Sequence, residues 1–163
     1  MNDGSELTSG VRKESTVATI TTSRFGAIQI TKKDLLRFPQ GLVGFEECRS
    51  WVLLADGGIS AVGWLQSTTQ DELVVAVVSP RRFVPDYRFH VSRQQLGLIQ
   101  LEDVDRAFVL VIVAKTTGSL TANLKAPVIV NLDRRLGCQI VVEDDHPLQH
   151  TLRPPAAQLR KIA

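Results

Sequence analysis

No stretch of this sequence carries helical periodicity long enough to cross from one parallel strand to the next. Parallel α/β sheets need such crossovers, so that architecture is excluded at the outset. The chain offers instead a succession of short apolar or alternating segments separated by close turn signals. Strands are expected at Val17–Ile20, Gly26–Ile30, Trp51–Ala55, Ile59–Gln66, Leu73–Val78, Arg88–Val91, Phe108–Ala114, Val128–Val130 and Cys138–Val142. In the second of these, Ile28 and Ile30 alternate with Gln29 and Thr31, the period of a half-buried strand. Thr22–Gly26 reads as the turn before it. Asp56-Gly57-Gly58 reads as a tight hairpin whose residues need positive φ. Ser92 and Gln95 have capping-box spacing and Gly97 follows at once, which allows one or two helical turns. About nine or ten short strands of this kind predict an all-β fold, a small antiparallel β-barrel or barrel-like sandwich with one or two very short helices.

A length of 163 residues suits one domain with a real core. Residues 1–15 are polar and charged, with almost nothing apolar to repay ordering, and are expected to be a disordered arm. Residues 16–152 form the expected barrel-like domain, and 153–163, with Pro154 and Pro155, a mobile tail. The first residues lack the apolar core of a signal peptide, and every apolar run is far too short to span a bilayer. Cys48 and Cys138 have no metal-type spacing, so free thiols in a reducing cytoplasm are expected.

Two features concern surfaces. Leu73–Val78, Phe108–Ala114 and Val128–Val130 are apolar on both strand faces, although few helices exist to cover the outside. Either loops cover them or part of that surface is kept for a partner. The stretch Thr121–Asn131, TANLKAPVIVN, places Pro127 where a strand can open without a donor. Asn123 and Asn131 bracket it, with amides able to tie neighbouring loop backbone to the strand. Phe38–Phe45, FPQGLVGF, is a loop with apolar anchors whose glycines permit angles other residues resist.

Catalytic candidates are few. His146 and His150 stand four apart in HPLQH, and Cys138 and Asp144 would be needed to complete a metal site. Pro147 between them breaks the helix that the spacing presupposes, so they read as solvated histidines in a polar turn. No GxSxG elbow and no glycine-rich phosphate loop is present. No catalytic residue, metal, cofactor, membrane association or small-molecule substrate is expected. Arg81-Arg82-Phe83 and Tyr87-Arg88 mix cations with aromatics, as single-strand binders do. Asp86 weakens that field and net charge is only +2, so direct nucleic-acid binding is not expected.

FPQGLVGFEE (Phe38–Glu47), WLQS (Trp64–Ser67), VSPRRFVPDY (Val78–Tyr87), TANLKAPVIVN and VEDDHP (Val142–Pro147) follow one another as in the flagellar assembly factor FliW family. The resemblance runs from about Thr19 to Leu152. It implies a small barrel-like protein that works by binding proteins, without catalysis. Its implied partners are flagellin and CsrA, a dimeric RNA-binding repressor of translation that the factor antagonises, coupling flagellin synthesis to flagellum assembly in the cytoplasm. A flagellin chaperone without CsrA antagonism, or a direct RNA-binding regulator, are the alternatives. An amphipathic helix of flagellin laid into an apolar groove would suit the chemistry. The expected contact residues are Phe83, Pro85, Asp86, Tyr87, Thr121, Ala122, Asn123, Leu124 and Pro127. Each of these taken singly also reads as a core or turn residue.

Overall fold

The computed structural model describes residues 17–153 and gives the apolar runs the pairing they need. Among the described residues eleven strands form: β1 (Ala18–Thr22), β2 (Gly26–Ile30), β3 (Leu35–Arg37), β4 (Ser50–Ala55), β5 (Val62–Ser67), β6 (Val74–Val78), β7 (Phe108–Thr116), β8 (Ser119–Ala122), β9 (Val128–Asn131), β10 (Leu136–Gln139) and β11 (His150–Leu152). The helical pieces among the described residues are α1 (Arg93–Gly97) and 3-10 turns at Pro80–Arg82 and Val104–Arg106. The capping box forms: Ser92 Oγ accepts from Gln95 N–H, and the Gln95 side chain accepts from Ser92 N–H.

Seven strands close a barrel in the order β7-β6-β5-β4-β3-β10-β9, with β9 returning to β7. At nine residues, β7 is long enough to serve three partners. Its start pairs with β9, its middle with β6 and its end with β8. β11 adds beyond β8, so these two leave the ring as a flap. β1 and β2 form a separate hairpin. Ser23 N–H donates to Asp71 O at 2.9 Å and Phe25 packs edge-on to Trp64 at 6.0 Å, which docks the hairpin on the barrel. The expected antiparallel barrel is therefore present, with one exception. β3 and β10 run parallel and share a single pair, Leu136 with Arg37.

Alternation along the strands explains the runs that are apolar on both faces. Inward, Leu36, Trp51, Leu65, Val77, Leu110, Val128 and Val130 fill the barrel with Phe38 and Leu42. Outward, Ile129 and Cys138 lie with Ile140 and Val142 under Leu96, Ile99 and Leu101, contributed by α1 and the segment after it. Val78 and Val111 lie under Tyr87, Ala122 and Leu124. Each aliphatic side chain so covered contributes about 1.5–3 kcal/mol of transfer free energy. The coverage comes from a five-residue helix and loops, so it left no helical period in the sequence.

Several expected elements differ. Arg88–Val91 is not a strand; it pairs with no ladder and is held by side chains described below. The strand expected from Ile59 begins at Val62. Asp56-Gly57-Gly58 makes no positive-φ hairpin. The Asp56 carboxylate accepts instead from Gly58 N–H at 2.9 Å, Ile59 N–H at 2.7 Å and Trp64 Nε1–H at 2.9 Å, and these bonds hold its pKa below the ordinary range. β10 ends at Gln139, although Ile140 and Val142 N–H groups still donate to Pro127 and Lys125 carbonyls. In the FPQGLVGF loop, Gly41 and Gly44 do adopt positive φ, 67° and 87°. The expected arm at 1–15 and nearly all of the expected tail lie outside the described residues.

Candidate partner-binding surface

Residues 79–90 wrap across the outside of β6 and β7. Pro80 opens the wrap as the first residue of a 3-10 turn, where its missing N–H costs nothing. Phe83 and Val84 N–H groups donate to Pro80 O, and Tyr87 N–H donates to Val84 O at 3.0 Å. Tyr87 anchors the wrap. It is 2% exposed, its hydroxyl donates to Leu124 O at 2.7 Å, and its ring lies 5.6 Å from Phe89 and 4.8 Å from His146. Burial, helped by the Asp144 carboxylate, pushes its phenol pKa well above the ordinary value.

The TANLKAP stretch receives that bond. Asn123 Oδ1 accepts from Lys125 and Ala126 N–H, each at 3.1 Å, which folds the stretch into an Asx turn. Asn131 Nδ2 donates to Ile99 O at 3.0 Å and Gln100 O at 3.2 Å, and its Oδ1 accepts from Arg134 N–H. Asn131 thus ties a separate loop to the strand, whereas Asn123 closes its own turn ahead of it.

The acidic VEDDHP turn completes the arrangement. Asp144 accepts from His90 N–H at 2.9 Å, and its other oxygen lies 2.8 Å from His90 Nδ1. These two bonds hold the Asp144 carboxyl below its ordinary pKa. Lys125 Nζ donates to Asp144 O at 2.6 Å, and the His146 ring meets the Arg88 carbonyl. Three motifs distant in sequence are therefore cross-linked into one assembly. FPQGLVGF joins it through Gln139, whose side chain accepts from Val43 N–H at 2.8 Å and donates to Ala126 O at 3.1 Å.

Beside the assembly lies a groove of about 860 Å³, with Phe89, Ala107 and Val109 as apolar lining, Arg81 and Arg88 supplying cations and Asp105 an anion. Of the nine residues singled out in the sequence, Pro85 and Asp86 are exposed, and Phe83 and Asn123 are half-buried. Tyr87, Thr121, Ala122, Leu124 and Pro127 are buried and expose little or nothing in the folded state. Pro85 and Tyr87 line the groove. Sequence reasoning missed Phe89, Ala107 and Val109, each unremarkable in its own segment. At the Arg81–Arg88 turn, Tyr87 is buried, Phe83 packs into the outer cluster and Arg82 donates to Ser60 O, which leaves Phe89 as the half-buried ring beside Arg81 and Arg88. Cys48 and Cys138 are free and buried; burial lifts the Cys138 thiol to about 11. The described residues hold no cluster of ligands that could take a metal and no helix long and apolar enough to cross a membrane.

The FliW protein family profile matches residues 19–152. The flagellar assembly factor FliW of Natranaerobius thermophilus is 37% identical over 139 residues, 83% of this chain and 90% of that protein. Its counterpart in Bdellovibrio bacteriovorus is 36% identical over 129 residues, 78% of this chain and 74% of that one. A crystal structure of the flagellar assembly factor FliW superposes with a TM-score of 0.77 at 30% identity, covering 84% of this chain and 98% of that one. On its motifs, its barrel and these likenesses, the chain belongs to the FliW family of flagellar assembly factors.

Proposed function

We propose that this protein couples flagellin synthesis to flagellum assembly by binding flagellin and the translational regulator CsrA in alternation. Flagellin occupies it while unsecreted subunits accumulate, and the freed factor captures CsrA once they leave. The thermodynamic requirement is that flagellin occupancy weakens capture of CsrA, a negative coupling between two binding events without catalysis. The observation that carries the reading is the convergence of the PRRFVPDY, TANLKAP and VEDDHP motifs beside one groove of mixed apolar and charged lining. In this reading the buried members of the assembly set its shape. Pro85 and Phe89 meet the apolar face of a flagellin terminal helix, and Asp86 and Arg88 meet polar groups at its margin.

The test is co-purification of the tagged full chain with flagellin and CsrA in competition. Each partner should be retained alone, and added flagellin should displace CsrA. Recovery of neither sinks the proposal. Asp86→Lys and Arg88→Glu, both at exposed positions, should weaken flagellin retention with an unchanged melting temperature. One observation favours a narrower role as a flagellin chaperone. The chain is slightly basic, with net charge +2 and pI near 8.7, whereas capture of a basic RNA-binding protein gains from acidic surface. A gel shift with flagellin leader RNA separates the readings: release of CsrA from RNA supports the antagonist, and its persistence leaves the chaperone. Binding of RNA by this protein alone supports a direct RNA-binding regulator.

A further inference from the structure

The single-pair junction of β3 and β10 is the most sparsely paired joint of the barrel wall. Every other neighbouring pair in the ring is matched over three or more residues. Outside this junction is a cleft of about 790 Å³ that shares no residue with the groove above. Five cations line it: Lys32 and Arg37 from β3 and its approach, Arg49 from the entry to β4, and Arg134 and Arg135 from the β9–β10 turn. Among the described residues no carboxylate lines it. Arg135 is engaged locally, donating to Leu35 O at 3.3 Å and Asp34 O at 3.1 Å. The other four are exposed and form no ion pair among the described residues. The neighbouring acid Asp34 is turned to Thr31, whose N–H and hydroxyl donate to it.

Like charges gathered in one concavity without counter-charge oppose folding and raise a positive potential there. An anionic ligand relieves that repulsion, and arginine forks match carboxylates as well as phosphates. The lining decides between them. Leu35, Leu136 and Pro39 give it an aliphatic floor, and no aromatic ring among the described residues lies in it to stack a base. We propose that this cleft binds an acidic, extended peptide segment of a protein partner, with carboxylates on Arg37, Arg49, Arg134 and Lys32 and intervening apolar side chains on Leu35 and Leu136.

The test is fluorescence anisotropy of a labelled peptide of alternating glutamate and leucine, titrated with the full chain. Binding is expected at low salt and should weaken several-fold at about 0.5 M salt, because the cations are exposed and screened. The Arg49→Glu/Arg134→Glu double variant should lose about tenfold in affinity or more, with a circular-dichroism melt like the parent's. Arg88→Glu, in the separate groove, should leave peptide affinity unchanged, so failure here is distinct from failure of the flagellin site. No binding at low salt, or undiminished binding by the double variant, overturns the proposal. Tighter binding of a single-stranded oligoribonucleotide of matched charge also overturns it and assigns the cleft to nucleic acid.

Discussion

The barrel is closed in two places by two different means. Between β7 and β9, three antiparallel pairs carry the closure: Phe108 with Val130, Val109 with Ile129 and Leu110 with Val128. Between β3 and β10 there is one parallel pair, supported by Arg37 N–H donating to Arg135 O at 2.9 Å. Side-chain packing replaces the missing ladder. The Phe38 ring lies so close to Gly137 that a Cβ there would overlap it, and it meets Trp51 edge-on at 6.4 Å. Trp51 is in turn fixed by its Nε1–H donating to Cys48 O at 3.0 Å. A ring of strands can therefore be completed by a side-chain plug at the one junction where neighbouring strands run in the same direction. The same gap that needs a plug inside opens the basic cleft outside.

Removing the plug is the strongest way to break that comparison. Phe38→Ala should cost about 3–5 kcal/mol, read as a shift in urea midpoint, because a fully buried ring leaves a cavity at a seam with no ladder to hold it. Leu110→Ala, on the ladder-closed side, should cost less, about 2–3 kcal/mol. Equal or reversed losses would mean that both closures depend on packing alike. Gly137→Ala should cost about 1–3 kcal/mol by overpacking against the Phe38 ring. Combining it with Phe38→Leu should recover part of the loss, giving a coupling of about 0.5–3 kcal/mol in a double-mutant cycle. Strict additivity of the two changes would show that Gly137 is required for some other reason.

The ladder side was the more legible in the sequence. Phe108–Ala114 and Val128–Val130 announced themselves by β-branched and aromatic content, and α1 by its capping box. The seam was not legible. β3, at three residues, is too short to show alternation, and Gly137 owes its place to a ring ninety-nine positions away (137 − 38) rather than to a turn. β8 and β11 were missed because Ser119, Thr121, His150 and Thr151 look like turn residues until each finds its partner strand. The small, polar residues of Thr121–Pro127 suggest contacts with a partner, but their polar groups are engaged within the fold: Asn123 with its own loop and Thr121 toward Ala114 O. The basic cleft draws on positions 32, 37, 49, 134 and 135, which form no charge run except Arg134-Arg135. Only the fold assembles it.

A smaller effect sharpens the contrast on the ladder side, where the outer face of β7 is clamped rather than plugged. Tyr87→Phe keeps the ring over Val111 but leaves the buried Leu124 carbonyl without its 2.7 Å donor. The expected loss is about 1–2 kcal/mol. Hydrogen exchange should then rise in Ser79–Tyr87 more than at the β3–β10 seam. A rise of equal size at the seam would show that wrap and plug form a single cooperative unit.

The smallest effect is the pH response of the clasp that holds the wrap's far end. Asp144 accepts two bonds from His90, so its folded pKa lies below that of the unfolded chain, about 3.9. A carboxylate depressed in this way adds stability that is fully present above the unfolded pKa and disappears as pH falls through the folded one. Wild type should therefore melt above Asp144→Asn by a small margin at neutral pH. The two should converge as pH falls through the folded pKa of Asp144, below which both side chains are uncharged. The group sits at the surface, so the margin is a degree or two rather than a collapse, and moderate salt should reduce it. A gap that persists or widens in acid would locate the contribution of Asp144 in the shape of the turn, with Lys125 Nζ on its backbone carbonyl, rather than in its charge.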